Sequence, residues 1–309
     1  MKGVYTEKIT DISHISLLKT VLATINPELA STTNIERFRE EEVNIDRTYN
    51  VYKVESDTQT YILKKSNDLE IGVYENFFAG KTLPVPALIG WTCIGEDKWI
   101  LIEYISGTDL RRFDEFKAYG CADSLCRVFN MYWQEDCFDE SRLDNRFDRY
   151  WARINKRAEC LKDEVELSSA YRIFGDRQLV CPRTLCNGDL LQCNAIEGER
   201  GIILIDWGFS GIMPYSLDIA RLISHGSESC FPFPFYMNDE YRGLFLRAVY
   251  DRLLHKPDYR QFVWDVTLAR LNEYIEFIEA ELRDEAMERD AAFDYYYENA
   301  RLLADVILR

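Results

Sequence analysis

The sequence predicts an α+β fold in two lobes, the first built on a small antiparallel sheet with one helix and the second mainly helical. Over residues 34–105, short runs of alternating polar and apolar residues indicate strands separated by polar turns. After Gly107 the periodicity becomes helical, and one strand pair at residues 181–206 interrupts it. We therefore expect a β-rich lobe over residues 1–105 and a helical lobe over residues 106–309.

The first lobe is predicted to begin with a helix over residues 12–25. Its apolar residues recur at helical spacing, behind a capping residue at Asp11 or Ser13. A second helix is predicted over residues 68–79. The strands are predicted around residues 52–55, 61–63, 88–91 and 99–102.

The second lobe is predicted to pack on amphipathic helices near the end of the chain. Apolar residues recur every three or four positions in residues 266–282 and 291–308, which indicates core-packing faces. The members of these faces include Leu268, Leu271, Ile275, Ile278, Leu282, Phe293, Tyr297, Ala300 and Val306.

Composition excludes several classes of function. The 309 residues include 37 Lys and Arg against 53 Asp and Glu, a formal net charge of −16, so we expect neither nucleic acid nor a membrane surface as partner. No apolar run approaches the roughly 20 residues of a membrane span, and the first residues lack a signal peptide's apolar stretch. Nine scattered cysteines without a CxxC pair indicate a reducing compartment, and we expect a cytoplasmic protein.

Three oxygen-bearing side chains surround the predicted strand pair. Asp189 precedes Asn194 by five residues, and Asp206 ends the apolar run over residues 202–205. Each alone could be a turn or capping residue. Together they are harder to dismiss, because a carboxylate at the end of a buried strand needs a cation to offset its desolvation. Carboxylate and amide oxygens suit Mg²⁺, which typically takes one or two carboxylates plus substrate phosphates.

This spacing matches a known layout for phosphoryl transfer, in which an Asp accepts the substrate's hydroxyl proton. An Asn five residues later and an Asp after the next strand pair hold Mg²⁺. A lysine should then anchor the phosphates, and Lys64 follows the predicted strand at residues 61–63. Its carboxylate partner would be Glu70 or Glu75 on the next helix, whereas Lys65 should face the opposite side of the strand.

Several motifs in the same order resemble the aminoglycoside phosphotransferase and choline kinase group of protein-kinase-like enzymes. The resemblance runs from about Glu42 to Leu222. Residues 186–194 (CNGDLLQCN) resemble that family's H-G-D-x-x-x-x-N catalytic loop, and residues 205–220 resemble its I-D-W…G-x-P…D-L-A segment. Further similarities are the L-P-V-P at residues 83–86, the hinge at residues 102–107 and a weaker match at residues 47–54 to the nucleotide loop.

The resemblance implies a protein-kinase-like fold and a small-molecule kinase that transfers a γ-phosphate from ATP or GTP to a hydroxyl. It implies that Asp189 is the catalytic base, beside Asn187 at the position of the usual His, and that Asn194 and Asp206 hold Mg²⁺. Asp218 would brace the catalytic loop.

For the nucleotide, the resemblance implies that Lys64 holds the α- and β-phosphates and that Glu70 orients it. The glutamate of the family stands about three helical turns before L-P-V-P, which favours Glu70 over Glu75. The other residues implied for the nucleotide are Asn50, Ile102 as a pocket wall, and the backbone of Glu103 and Ile105 for the base.

Two departures from the family pattern leave an alternative open. Asn187 replaces the His, although an amide can also brace the metal-binding segment by hydrogen bonding. Arg47, Thr48 and Tyr49 stand where the nucleotide loop has glycine and serine. A kinase-fold module that binds nucleotide without turnover is therefore the second hypothesis. A protein hydroxyl as acceptor is the third, and the short segment after Asp206 argues against it.

The acceptor is not identified by any motif. We expect a hydroxylated small molecule, cationic in view of the net charge: an aminoglycoside, which would imply antibiotic resistance, a choline- or ethanolamine-like compound, or another metabolite. An acidic pocket or a solvated helix face could be formed by Asp239, Glu240, Glu273, Glu276 and Glu279. A cage wall or a packed loop could be formed by Phe231, Phe233, Phe235 and Tyr236. The sequence does not fix the oligomeric state.

Overall fold

The computed structural model describes residues 3–32, 34–42, 45–134, 146–225, 235–284 and 286–309. The chain divides into two compact units, Met1–Ser106 and Gly107–Arg309. No helix in the described ranges combines the length and the apolar character needed to cross a membrane.

The first unit is a six-stranded sheet in which every neighbouring pair is antiparallel, in the order β1-β2-β3-β4-β6-β5. Its strands are β1 (Gly3–Lys8), β2 (Asn34–Glu42), β3 (Ile45–Glu55), β4 (Thr60–Ser66), β5 (Leu88–Ile94) and β6 (Asp97–Glu103). Its helices are α1 (Ile12–Ile25) and α2 (Asp68–Val73), and α2 continues into a π-helical turn over Tyr74–Phe78.

Helix α1 has the bounds that the sequence predicted. The Asp11 side chain accepts hydrogen bonds from the backbone N–H groups of Ser13 and His14, which caps the first turn. Leu18 and Leu22 are fully buried in the cluster that covers one face of the sheet. The cap and the buried apolar stripe both favour a helix over the same residues.

The second unit is mainly helical and contains two small sheets. Its helices are α3 (Glu115–Tyr132), α4 (Arg146–Cys160), α5 (Val165–Gln178), α6 (Ser216–Ser224), α7 (Asp239–Arg252), α8 (Tyr259–Phe277), α9 (Glu279–Arg283) and α10 (Ala291–Leu308). One sheet has the order β10-β9-β7 and the other pairs β11 with β8. Their strands are β7 (Gly107–Asp109), β8 (Arg183–Cys186), β9 (Ala195–Gly198), β10 (Gly201–Leu204) and β11 (Gly211–Pro214).

One core cluster of the second unit includes both helices whose stripes the sequence predicted. Leu268, Leu271 and Ile275 of α8 are fully buried in one cluster with residues of α5 and α10. One member of the predicted stripe differs: Val306 is 57% exposed, because it lies between Ala304 and Ile307 in sequence but on another side of α10.

The structure also differs from the sequence analysis in the first unit. Strand β1, which pairs with β2 along the edge of the sheet, was not predicted. Residues 47–54, matched to a nucleotide loop, lie entirely within β3. The alternation of Tyr52 and Val54, both buried in the sheet's core, explains why this stretch is a strand.

Candidate active site

The loop after β8 carries Asp189, and its path depends on Gly188. Strand β8 ends at Cys186, which pairs with Gly211 of β11. Gly188 has a φ of +80°, and a Cβ built there would lie 2.0 Å from the backbone oxygen of Phe209. Only glycine combines this left-handed conformation with this close approach. The loop is therefore held against the segment that follows Asp206.

Asn187 connects the loop to the residues around Asp206. Its side chain is buried, and Nδ2 donates to the backbone oxygens of Ile205 at 3.0 Å and Asp206 at 3.1 Å. Its Oδ1 accepts from the N–H of Asp189 at 3.2 Å. One amide therefore satisfies three backbone groups in two separate segments. It fixes the backbone from which the side chains of Asp189 and Asp206 project.

Asp218, in the first turn of α6, holds the same loop by hydrogen bonds to its backbone. Its two carboxylate oxygens accept from the N–H groups of Asn187 at 2.6 Å and Gly188 at 2.9 Å. Burial raises the pKa of Asp218 to about 7, although these two hydrogen bonds favour the ionised form. The contact is structural: it orients the loop from within the protein.

Asp189 and Asn194 are brought together by the short turn that ends the loop. The Nδ2 of Asn194 donates to the backbone oxygen of Asp189 at 2.6 Å and, at 3.4 Å, to its Oδ2. Because Nδ2 is used in this way, Oδ1 is the amide atom suited to a cation. The Asp189 side chain is partly buried, and burial raises the pKa of its carboxyl.

Asp206 follows β10 and lies near Asp189. Its charge adds to the effect of burial in raising the pKa of Asp189, while the charge of Arg221 opposes both. Asp206 has a φ of 57°, the one non-glycine residue in the described ranges with a left-handed backbone. Such strain costs roughly 1–3 kcal/mol and tends to occur at functional sites.

These three side chains are of the types that could hold a magnesium ion that uses few protein ligands. The described residues contain no group of three or more His, Cys, Asp or Glu that could hold a metal. The candidate set is instead the amide oxygen of Asn194 and the carboxylate of Asp206, beside the Asp189 carboxylate. Mg²⁺ commonly binds through one or two carboxylates and completes its shell with water and phosphate oxygens.

Arg221 contacts the candidate base and was missed by the sequence analysis. Its Nε and Nη2 both donate to Oδ1 of Asp189, at 3.1 Å and 2.6 Å. Its Nη1 donates to Oε2 of Glu273 on α8 at 2.9 Å. One signal was available: Arg221 directly follows the D-I-A segment, so a charged residue could be expected on α6 close to the loop. Its two partners lie 32 and 52 residues away, which no local pattern reports.

In the first unit, Lys64 and Glu70 form a buried ion pair. Lys64 Nζ lies 2.9 Å from Glu70 Oε1. The other carboxylate oxygen of Glu70 accepts from the Ser66 hydroxyl at 2.7 Å, and the residue is 1% exposed. Glu75, the other partner considered, instead accepts from the Trp91 indole at 2.6 Å.

The other residues implied for the nucleotide lie in or next to the same sheet. Asn50 lies on β3, where its Oδ1 accepts from Arg37 at 2.8 Å. Ile102 is buried in β6. The N–H of Glu103 donates to the Ala87 oxygen at 2.9 Å. Of the two backbone groups of Glu103, the carbonyl is therefore the one that could bond to the nucleotide's base. Ile105 follows β6 and is half-buried.

A cavity flanks the loop within the second unit, and two of the acidic residues considered for the acceptor line it. Glu273 and Glu276 share this lining with Arg149, Arg153 and Arg221. Both carboxylates are engaged: Glu273 by Arg221, and Glu276 by Arg153 at 2.9 Å. The wall is therefore charge-compensated rather than acidic.

The remaining acceptor candidates are elsewhere. Glu279 pairs with Arg157 at 2.9 Å, whereas Asp239 and Glu240 lie in the exposed first turn of α7. Phe231 and Phe233 lie outside the described residues, Phe235 is buried, and the backbone of Tyr236 bonds to Arg111 and Phe113.

Comparison with known proteins relates most of the chain to one family. A model of the phosphotransferase enzyme family (APH) matches residues 41–262. A search of curated proteins found no match. The family match includes the loop with Asp189, the β9–β10 hairpin and Asp218.

Solved structures of similar fold include three kinases of small molecules. The amicoumacin kinase hAmiN, in complex with AMP-PNP, Ca²⁺ and Ami, has a TM-score of 0.62 at 12% identity, over 96% of this chain and 94% of that one. Plasmodium vivax ethanolamine kinase has a TM-score of 0.60 at 14% identity, over 96% and 89%. A type VIII aminoglycoside-3'-phosphotransferase has a TM-score of 0.54 at 16% identity, over 81% and 97%. These similarities confirm the predicted kinase-like α+β fold.

Proposed function

Because the chain belongs to the phosphotransferase enzyme family, we propose that it transfers the γ-phosphate of ATP to a hydroxyl of a small molecule, with Asp189 as the base. The observation that supports this most is the position of Asp189, Asn194 and Asp206 around one half-buried turn. Asn187 and Asp218 fix the backbone of that turn through five hydrogen bonds. A rigid arrangement of this kind suits a reaction that depends on positioning.

Each residue has a separate task in this proposal. Asp189 accepts the proton of the acceptor hydroxyl as its oxygen attacks the γ-phosphorus, and the bond from that phosphorus to the β-phosphate oxygen breaks to release ADP. Asn194 and Asp206 would hold Mg²⁺ through Oδ1 and the carboxylate, and Asn187 keeps the backbone of Asp189 and Asp206 in place. When bound, the metal ion neutralises charge on the phosphate oxygens. In the first unit, Lys64, oriented by Glu70, is our candidate for the donor's α- and β-phosphates.

The proposed donor and acceptor follow from different observations. A kinase fold of this family implies ATP and a metal ion; GTP is the alternative donor. For the acceptor we propose a hydroxylated amine, as in the names of the similar ethanolamine and aminoglycoside enzymes. Glu273 and Glu276 are already paired with arginines. They should therefore attract a polycationic acceptor less strongly than two unpaired carboxylates would. A reducing compartment such as the cytoplasm would suit the seven described cysteines, all of them free.

The test is transfer from γ-labelled ATP or GTP, with Mg²⁺, to a panel of ethanolamine, choline, aminoglycosides and sugars. We expect one acceptor to be labelled, and Asp189→Asn to lower the rate by about 10²–10⁴-fold, the usual contribution of a positioned base. Removal of the metal with EDTA should abolish transfer. The matched control is Asp305→Asn, an exposed aspartate on α10, which should behave as the wild type.

Two results would contradict the proposal. Unchanged transfer by Asp189→Asn would remove Asp189 from the reaction. Thermal stabilisation by ATP with no phosphate release, with or without acceptor, would instead favour the second candidate, a nucleotide-binding module. That candidate is motivated by Asn187 at the position of the usual His.

A further inference from the structure

The contact between Arg221 and Asp189 is asymmetric. Two guanidinium nitrogens of Arg221, Nε and Nη2, converge on a single oxygen, Oδ1 of Asp189. Among the residues that the structure describes, the other oxygen, Oδ2, accepts only the long hydrogen bond of 3.4 Å from Asn194. The arginine thus anchors one oxygen of the carboxylate and leaves the other with capacity to accept a further hydrogen bond.

A half-buried arginine in the same unit, Arg177, shows the contrasting arrangement, in which both oxygens of the partner carboxylate accept from the guanidinium. Arg177 donates through Nε to Oδ1 of Asp265 at 2.7 Å and through Nη2 to Oδ2 at 2.9 Å. The hydroxyl of Tyr215 also donates to Oδ2, at 2.9 Å. Both oxygens of Asp265 are therefore occupied, as expected for a structural pair. Arg221 donates from the same two guanidinium nitrogens, but both hydrogen bonds end on one oxygen of Asp189.

Arg221 is itself held in place from the other side. Its Nη1 bonds to Glu273, whose Oε2 also lies 3.2 Å from Nε2 of His225. The other nitrogen of His225 lies 3.0 Å from the Tyr296 hydroxyl. This chain of contacts runs from the loop through α6 and α8 to α10. The guanidinium therefore cannot follow Asp189 if the carboxylate rotates, and it sets the carboxylate's orientation.

We propose that Arg221 is a positioning residue for the reaction: it holds Oδ1 of Asp189 so that Oδ2 is the atom presented to the acceptor hydroxyl. The inference rests on the proposed function. Arg221 touches no reacting atom in this account. It acts through Asp189, and Glu273 acts one step further away by holding Arg221.

The test uses Mg²⁺-dependent hydrolysis of ATP by the full chain, which needs no identified acceptor because water replaces it. We expect Arg221→Met to lower kcat by about 10–100-fold, as for a misplaced catalytic group, with the KM for ATP within about 2-fold. Arg221→Lys, which keeps the charge but lacks the planar fork, should be intermediate.

Stability is separated from positioning by two further variants. Arg221→Met leaves Glu273 buried without its cation, so its unfolding midpoint in urea should fall. The double variant Arg221→Met with Glu273→Gln removes both charges, and we expect the midpoint to recover while kcat stays low. Arg177→Met, the matched control, should lose stability but keep the wild-type kcat per folded molecule.

The outcomes distinguish this inference from the proposed function. A wild type with no Mg²⁺-dependent turnover of ATP, in hydrolysis or in transfer, would overturn both. A wild type that turns over, together with unchanged kcat in Arg221→Met or recovered kcat in the double variant, would overturn the role of Arg221 alone. Unfolded Arg221→Met protein leaves Arg221→Lys and the double variant to decide the question.

Discussion

At the scale of single residues, the candidate site divides into groups that the sequence predicts and groups that it does not. The spacing of Asp189, Asn194 and Asp206 placed all three around one local hairpin, and the Asn194 amide donates to Asp189 there. A metal ion shared by Asn194 and Asp206 stays a prediction. Arg221 and Glu273 were not predicted to meet, since the contact depends on how α6 packs against α8. The spacing of residues in the sequence predicts contacts across a turn. Contacts between helices far apart in the sequence depend on tertiary packing, which local spacing does not predict.

Asn187 provides a sharp test at this scale, because its amide uses both a donor and an acceptor. Asn187→Asp keeps the shape but replaces the Nδ2 donor with an oxygen that faces two backbone carbonyls. We expect a loss of about 2–3 kcal/mol in the free energy of unfolding, the cost of buried groups left unpaired. Urea denaturation of both proteins measures it.

The control for this change is Asn299→Asp. The Nδ2 of Asn299 donates one hydrogen bond, to the Tyr295 oxygen on α10, in a half-buried position. We expect a loss below about 1 kcal/mol. Equal losses for the two substitutions would show that Asn187 is no more than an ordinary polar residue, and that the bracing of Asp206 is unimportant.

At the scale of helices and strands, prediction succeeded where local signals agreed. Helix α1 combines a capping aspartate with a regular apolar stripe, so its bounds were predicted to the residue. Strand β1 carries no comparable signal and forms because β2 offers an edge to pair with. Residues 47–54 resembled a loop by motif but alternate like a strand, and the alternation determines the structure.

The contact between α6, α8 and α10 through His225 makes a pH dependence testable. Burial lowers the pKa of His225 below its ordinary value of 6.5, even though the contact with Glu273 opposes this. The unfolded chain therefore takes up the proton at higher pH than the folded one, and stability decreases as the pH falls through 6.5 and below. Thermal unfolding at about pH 7.5 and pH 5.5 should show a larger loss for the wild type than for His225→Gln.

The exposed His255 provides the control for this measurement. His255→Gln should reproduce the wild-type pH dependence, because it leaves His225 and its buried contacts with Glu273 and Tyr296 unchanged. Identical pH dependence in wild type and His225→Gln would mean that His225 is charged in the folded protein, in contradiction to its burial among Glu273, Tyr296 and Phe277.

At the scale of the whole molecule, composition and periodicity predicted a β-rich part followed by a helical part. The structure has compact units over Met1–Ser106 and Gly107–Arg309, and the fold is that of small-molecule kinases. The net charge of −16 suggested a cationic acceptor. Net charge reports nothing of local pairing, and the cavity beside the loop is lined by arginines as well as glutamates.

In the proposed reaction, Asn194 and Asp206 share one divalent ion beside a nucleotide's phosphates. A crystal grown with Mn²⁺ and a non-hydrolysable ATP analogue tests it most directly, because manganese gives an anomalous signal at its own position. We expect one peak at about 2.1 Å from Oδ1 of Asn194 and from a carboxylate oxygen of Asp206. A bound nucleotide whose manganese contacts neither side chain would contradict the account.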